Sequence, residues 1–272
     1  LIVGDYFKTD RGFLIFSKQA AELITWLRSK TLVLALIRDI QAEHNQPHVT
    51  VIRAVLTRWT SHYLAFKCLL ELWNALEFLI SRDSMRPPSD SQLITGNAKS
   101  KAKAKSMVGL VKNQDFWIAL VRIKNHLEPL AIAANIMQGA FCRLDQVLLT
   151  LGSLYMHFDQ LNDPIDADIH TAVLESIEKR WSKTDQEVFI AAVLLNPFVG
   201  KVFKPTLLWF NQAGILALLS KLYKRFFEED VATHLFQNIA DYYSKRGLFS
   251  SITAFQTVIA DKASKQVSFF SS

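Results

Sequence analysis

The sequence predicts a mainly α-helical protein, and three observations carry that expectation. Apolar residues recur near every 3.6 positions along most of the chain, the pattern that turns one helix face toward a core. The 272 residues include only 9 Gly and 7 Pro, fewer turn formers than an all-β fold needs. Half of the residues are hydrophobic and 21% are charged, so the chain can bury a substantial core.

The elements run in order. A helical pair is expected over about 13–28 and 31–44, ahead of Pro47. Residues 48–56 fit one short strand. A long helix is expected next, because Trp59, Tyr63, Phe66, Leu70, Trp73 and Ile80 fall on one stripe. Thr57 or Thr60 fits its N-cap, and Pro87-Pro88 ends its reach. Pro129 falls between two apolar helical segments, where it either kinks one helix or starts a second. Val147, Leu148, Leu151, Leu154, Tyr155 and Phe158 form a helical stripe over 143–161, closed by Asp163-Pro164. Ile169, Val173, Ile177 and Trp181 repeat at i+4. Asn196-Pro197 closes a helix over 184–195, and Lys204-Pro205 opens the next segment. The total is ten to twelve helices.

Residues 81–106 lack apolar periodicity and carry alternating lysines, so 81–107 reads as a mobile Lys-rich loop. The expected division is a helical segment over 1–80, that loop, a helical bundle over 108–262 and a tail over 263–272.

Charge and composition bound the chemistry. A formal charge of +6 permits a polyanionic partner and equally fits an ordinary basic surface. The two cysteines, Cys68 and Cys142, lie in apolar helical patterns without Cys-x-x-Cys spacing, which points to buried thiols in a reducing, intracellular setting. No apolar run approaches the ~18 residues of a membrane span, so no membrane partner is expected. No Gly-rich phosphate loop or nucleophile elbow is present, and no small-molecule substrate is expected.

Lys99, Lys101, Lys103 and Lys105 place four cations within seven residues. They fit phosphate contacts or an import signal, or else a solubilising loop; no aromatic is interleaved for base stacking. Arg58-Trp59 likewise has two readings. Trp59 begins an apolar stripe and fits a core, while an indole face beside an arginine also fits an extrahelical base and its phosphate. His44, His48, His62, His126, His157, His170 and His234 show no ligand spacing suited to a helix, because Pro47 interrupts the His44–His48 pair. Structural or surface roles are expected for all of them. Glu228, Glu229 and Asp230 sit beside Lys224 and Arg225, as a solvated cluster at a helix end would. No catalytic residue and no metal ligand is assigned.

Three blocks, taken in order, resemble the hAT DNA-transposase superfamily in its fungal form. The first is Thr57-Arg58-Trp59-Thr60-Ser61 with Leu69-Leu70-Glu71-Leu72 after it. The second runs from Phe116-Trp117 to His126-Leu127-Glu128-Pro129-Leu130, followed by the helical stretch from Leu144 to Phe158. The third is Lys179-Arg180-Trp181 with Ala191-Ala192-Val193-Leu194-Leu195-Asn196-Pro197. Residues 1–7 also resemble the helix that comes after the family's Cys-x-x-His block.

The resemblance implies a ribonuclease H-like core interrupted by a large helical insertion, with residues from about 60 to 260 mainly in the insertion and at most a remnant of the α/β core. It implies nuclear localisation and DNA as a partner, with a homo-oligomer or a further transposase subunit beside it. By the same resemblance Arg58 and Trp59 match the Arg-Trp block, whose tryptophan is associated with a flipped base. The family holds two divalent metals, Mg or Mn, on three carboxylates. Those carboxylates are expected ahead of Leu1 and near or beyond Ser272, so their ligands are expected to be missing here, with Asp5 a poor substitute. The resulting expectation is a transposase-like fragment, DNA-associated and catalytically incomplete. The alternative is a helical protein-interaction scaffold or a relic with no DNA role.

Overall fold

A computed structural model describes residues 2–9, 11–52, 59–199, 211–252 and 254, and of Arg11, Trp59 and Gln212 it describes the backbone alone. The fold is mainly α, with twelve α-helices, three short 3-10 turns and no strand among the described residues. No described helix is long and apolar enough to cross a membrane. The chain divides into two compact units. The first comprises Leu1–Ala140 with Leu151–Lys179, and the second Phe141–Thr150 with Arg180–Ser272.

In the first unit the opening helices are α1 (Ile2–Thr9), α2 (Arg11–Arg28) and α3 (Thr31–Glu43). The pair expected from periodicity is present within two residues at each end. Phe13, Ala20, Leu23, Ile24 and Leu27 bury one face of α2, and Val33, Ile37 and Ile40 bury one face of α3. Residues 46–52 are irregular, so the strand expected over 48–56 does not form in that part. Its remainder lies outside the described residues.

The long helix expected after Trp59 is two helices, α4 (Trp59–Glu71) and α5 (Trp73–Ser84). Neither glycine nor proline marks the step. It coincides with the burial of Leu72 and with a near-parallel stack of Trp73 on Trp117, ring centroids 5.1 Å apart. Such stacks contribute about 0.5–1.5 kcal/mol beyond burial. Thr57 lies outside the described residues, and Thr60 is inside α4.

The expectation of a mobile loop over 81–107 needs correction. Residues 98–111 form a helix, α6 (Ala98–Val111), and the chain before it is tied down. Leu93 is 2% exposed. The buried Asp83 carboxylate accepts hydrogen bonds from Ser91 Oγ and the Gln92 backbone N–H, each 2.7 Å long. Alanine and lysine are both good helix formers, so a run of the two forms a helix once one face finds a core. The whole segment lies inside the first unit.

Helix α7 (Gln114–Met137) runs unbroken through Pro129 and packs on α2, α4 and α6. Of the two roles open to Pro129, it starts no second helix. Trp117 Nε1 donates to the Val111 carbonyl across 2.7 Å, tying the α6–α7 corner. Helix α8 (Leu144–Asp159) ends before Asp163-Pro164, as expected, and α9 (Ala167–Trp181) comes next.

In the second unit, Ala191 and Leu194 of α10 (Gln186–Leu194) cluster with Ile215, Leu219 and Leu222 of α11 (Gln212–Phe227). Ile239 of α12 (Thr233–Ser244) completes this small core. Helix α10 ends before Asn196-Pro197, as the sequence predicts. The buried Asp145 carboxylate is held by two Arg143 nitrogens, each at 3.0 Å, and by the Asn196 side-chain amide. Lys204-Pro205 and the 263–272 tail lie outside the described residues.

Candidate nucleic-acid interface

Helix α6 starts where Asn97 Oδ1 accepts the Ser100 N–H at 2.9 Å, a side-chain N-cap. Ala104, Met107 and Val111, spaced i, i+3 and i+7, bury its inner face, and Ala104 is 0% exposed. The helix packs on α2, α5 and α7. That spacing and the Asn97 cap were the signals available in the sequence; alanine is too weakly hydrophobic to announce a stripe.

The helical period sorts the lysines into two ridges. Lys99 and Lys103, four residues apart, share one flank, and Lys101 and Lys105 share the other, with Lys112 continuing the second ridge. All five are exposed. Between the ridges the outward face is built of small residues, Ala98, Ala102, Ser106 and Gly109. A Cβ at Gly109 would meet nothing within 4 Å, so this face is open.

Lys103 pairs with Glu22 at 2.6 Å. Among the described residues Lys99, Lys101 and Lys105 enter no ion pair. From Ser91 to Gln114 the sequence holds five lysines and no carboxylate. The first turn of α6 has no acidic residue to meet its positive end. Cations there oppose the macrodipole, each by some tenths of a kcal/mol. The exposed face of α6 therefore carries a net positive charge.

The other sequence-predicted residues do not join this surface. Arg58 and the Trp59 side chain lie outside the described residues; the Trp59 backbone opens α4. Asp5, on α1, accepts a hydrogen bond from Ser176 Oγ at 2.8 Å, tying α1 to α9. Cys68, on α4, and Cys142, in the connection between α7 and α8 rather than in a helix, are free and half-buried rather than buried.

Sequence reasoning missed a buried polar cluster in the first unit. Tyr6 Oη lies 3.3 Å from His126 Nδ1, and His126 Nε2 lies 3.5 Å from Asp166 Oδ2. A carboxylate only accepts, so the ring proton belongs on Nε2 and Tyr6 donates to Nδ1. Arg122 bonds Asp163 and stands 2.9 Å from Asp166 Oδ1, without the alignment of a hydrogen bond there. Burial pushes the His126 pKa down, and the Asp166 charge only partly offsets it. The arrangement joins α1, α7 and the turn before α9 and serves packing. A neighbouring pair acts at the surface: Tyr63 Oη donates to Glu128 Oε1 at 2.6 Å, which pushes the Tyr63 pKa up to about 12. Lys124 and Tyr63 together hold the Glu128 pKa down.

Among the described residues no three His, Cys, Asp or Glu side chains group as a metal site would. Comparison with protein-family models, with curated proteins and with solved structures finds no match to this chain.

Proposed function

We propose that this chain is a helical domain of a transposase-like, DNA-associated protein, and that α6 is its phosphate-contacting surface. The observation that carries the reading is the pair of lysine ridges flanking a strip of small residues. A helix about 10–12 Å across matches the ~12 Å width of the B-DNA major groove. In that pose the strip of Ala98, Ala102, Ser106 and Gly109 lets the backbone approach, and the ridges reach the phosphates on the two groove walls. The order of the Arg58-Trp59, Leu127-Glu128-Pro129 and Leu195-Asn196-Pro197 blocks supports a hAT-like origin. Lysine contacts of this kind give affinity and position without reading sequence.

Duplex binding followed by fluorescence anisotropy across a salt series tests this. The affinity should fall steeply with salt. Replacing Lys99, Lys101 and Lys105 together by Gln should lower the log–log slope by about 2.7, at ~0.9 per contact. No binding at low salt, or an unchanged slope in the triple variant, refutes the reading.

The second reading is a helical protein-interaction scaffold. It draws on an exposed apolar stripe along α7, formed by Ile118, Val121, Ile132 and Ile136.

A further inference from the structure

Helices α2 and α3 are joined by Ser29 and Lys30 alone and pack on one another. Residues 49–51 cross this corner, and a cavity of about 210 Å³ lies between the three. Its apolar wall is formed by Leu34, the buried Ile37 and Val49. Its polar groups are Arg28 at the end of α2, Arg38 on α3, and Thr50. Among the described residues no carboxylate lines it.

The two arginines differ in what the fold asks of them. Arg28 stands in the last turn of α2, where a cation suits the helix end. Its Nη1 donates to the Val51 carbonyl at 3.3 Å. A guanidinium carries several N–H donors, so others remain for a second acceptor. Arg38 has no such structural task. Among the described residues it enters neither a hydrogen bond nor an ion pair. Its neighbours one turn away on α3 are Leu34, Ala35, Gln41 and Ala42, none of them acidic. Asp39 is turned about 100° around the helix from it. Two guanidinium groups on one small cavity repel each other, and an anion between them reverses the sign of that interaction.

We propose that this cavity binds a small phosphomonoester, its phosphate between Arg28 and Arg38 and a compact apolar body against Leu34, Ile37 and Val49. Charge selects the head group. Two cations match a phosphate dianion, whose terminal oxygens accept from both arginine forks and from the Thr50 hydroxyl. A carboxylate brings a single charge and one oxygen fewer than these three donors ask for. Size selects the body. The cavity is smaller than the ~300 Å³ at which pockets for drug-sized ligands begin, so the body is one small ring or a short chain. A nucleic-acid phosphodiester, with a nucleoside on either side of its phosphorus, does not fit such a space. The cavity shares no residue with the α6 surface, so this inference stands or falls apart from DNA binding.

Calorimetric titration of the full chain with phenyl phosphate, in a phosphate-free buffer, tests the site. One molecule should bind per chain, with a dissociation constant in the millimolar range or tighter. Inorganic phosphate lacks the apolar body and benzoate lacks the second charge, so each should bind about tenfold more weakly. Arg38→Gln should weaken phenyl phosphate by about tenfold or more, as the loss of a charge-assisted hydrogen bond does. Arg38 is exposed, so the fold, followed by circular dichroism, should be unchanged. Arg38→Lys keeps the charge but not the fork and should fall between the two. The chain with Lys99, Lys101 and Lys105 replaced by Gln should bind phenyl phosphate as the natural chain does, which separates this site from the α6 surface and from diffuse attraction to a basic protein. The proposal is overturned by an absence of saturable binding at tens of millimolar, by equal binding to Arg38→Gln, by inorganic phosphate or benzoate binding as tightly as phenyl phosphate, or by loss of binding in the triple lysine variant.

Discussion

Replacing Lys99 and Lys101 by Glu should strengthen the fold and weaken DNA binding at the same time. Both residues lie in the first two turns of α6, whose N-terminal end has no acidic residue. Reversing charge in the first turn is favourable by about 0.3–1 kcal/mol per site at low ionic strength. Each new Glu also stands four residues before a lysine, Lys103 or Lys105, and such pairs add about 0.2–0.5 kcal/mol. The two substitutions together should stabilise the first unit by about 1–3 kcal/mol. The Asn97 cap is untouched, since it bonds the Ser100 backbone. Binding moves the other way. Each lost phosphate contact reduces the salt slope by ~0.9, which for two contacts is roughly 60-fold in affinity at 0.1 M salt, relative to 1 M. Urea denaturation reads the first effect, and anisotropy with a labelled duplex reads the second. A double variant that unfolds more easily would contradict the account of the helix end. One that binds DNA as tightly as the natural chain would contradict the assignment of the surface.

The packing sets three further outcomes. Gly109→Ala should stabilise by about 0.5–1 kcal/mol in thermal or urea melts, because the helix gains propensity and the added methyl meets open space. Leu93→Ala should cost about 2–5 kcal/mol, since Leu93 is buried in the first unit's core; a change under 0.5 kcal/mol would show that the chain before α6 is not docked. The His126 pKa in the fold lies below the ordinary 6.5, so the unfolded chain binds the proton first. The stability this group contributes is therefore fully present above pH 6.5 and is lost as pH falls below that value, by at most about 1.4 kcal/mol per pH unit. His126→Gln should flatten that part of a urea-stability profile, while the half-buried His62, shifted the same way by its own burial, leaves a residual slope.

Where one apolar stripe makes a whole helix, the sequence is enough. The α2–α3 pair, the end of α8 before Asp163-Pro164 and the end of α10 before Asn196-Pro197 are all set by period and proline placement. The α4–α5 step is not legible, because nothing local marks Leu72 and the Trp73–Trp117 stack closes across the fold. Helix α6 escapes a reading of its pattern because its buried face starts at Ala104 and its lysines alternate, which hides a helical period behind an apparent two-residue one. The candidate surface itself is legible as four lysines, but their sorting into ridges requires the helix. The His126 cluster depends on Tyr6, 120 residues away in sequence, and no local pattern announces such a pairing.

Lysine footprinting on the DNA complex tests the central claim most directly. The full chain is acetylated at trace level, alone and saturated with duplex, and each lysine's modification is read by mass spectrometry. The account predicts protection concentrated at Lys99, Lys101, Lys105 and Lys112, with Lys103 partly shielded in both states by Glu22 and the exposed Lys8 unchanged. Uniform protection of all lysines, or protection elsewhere with α6 still reactive, would contradict it.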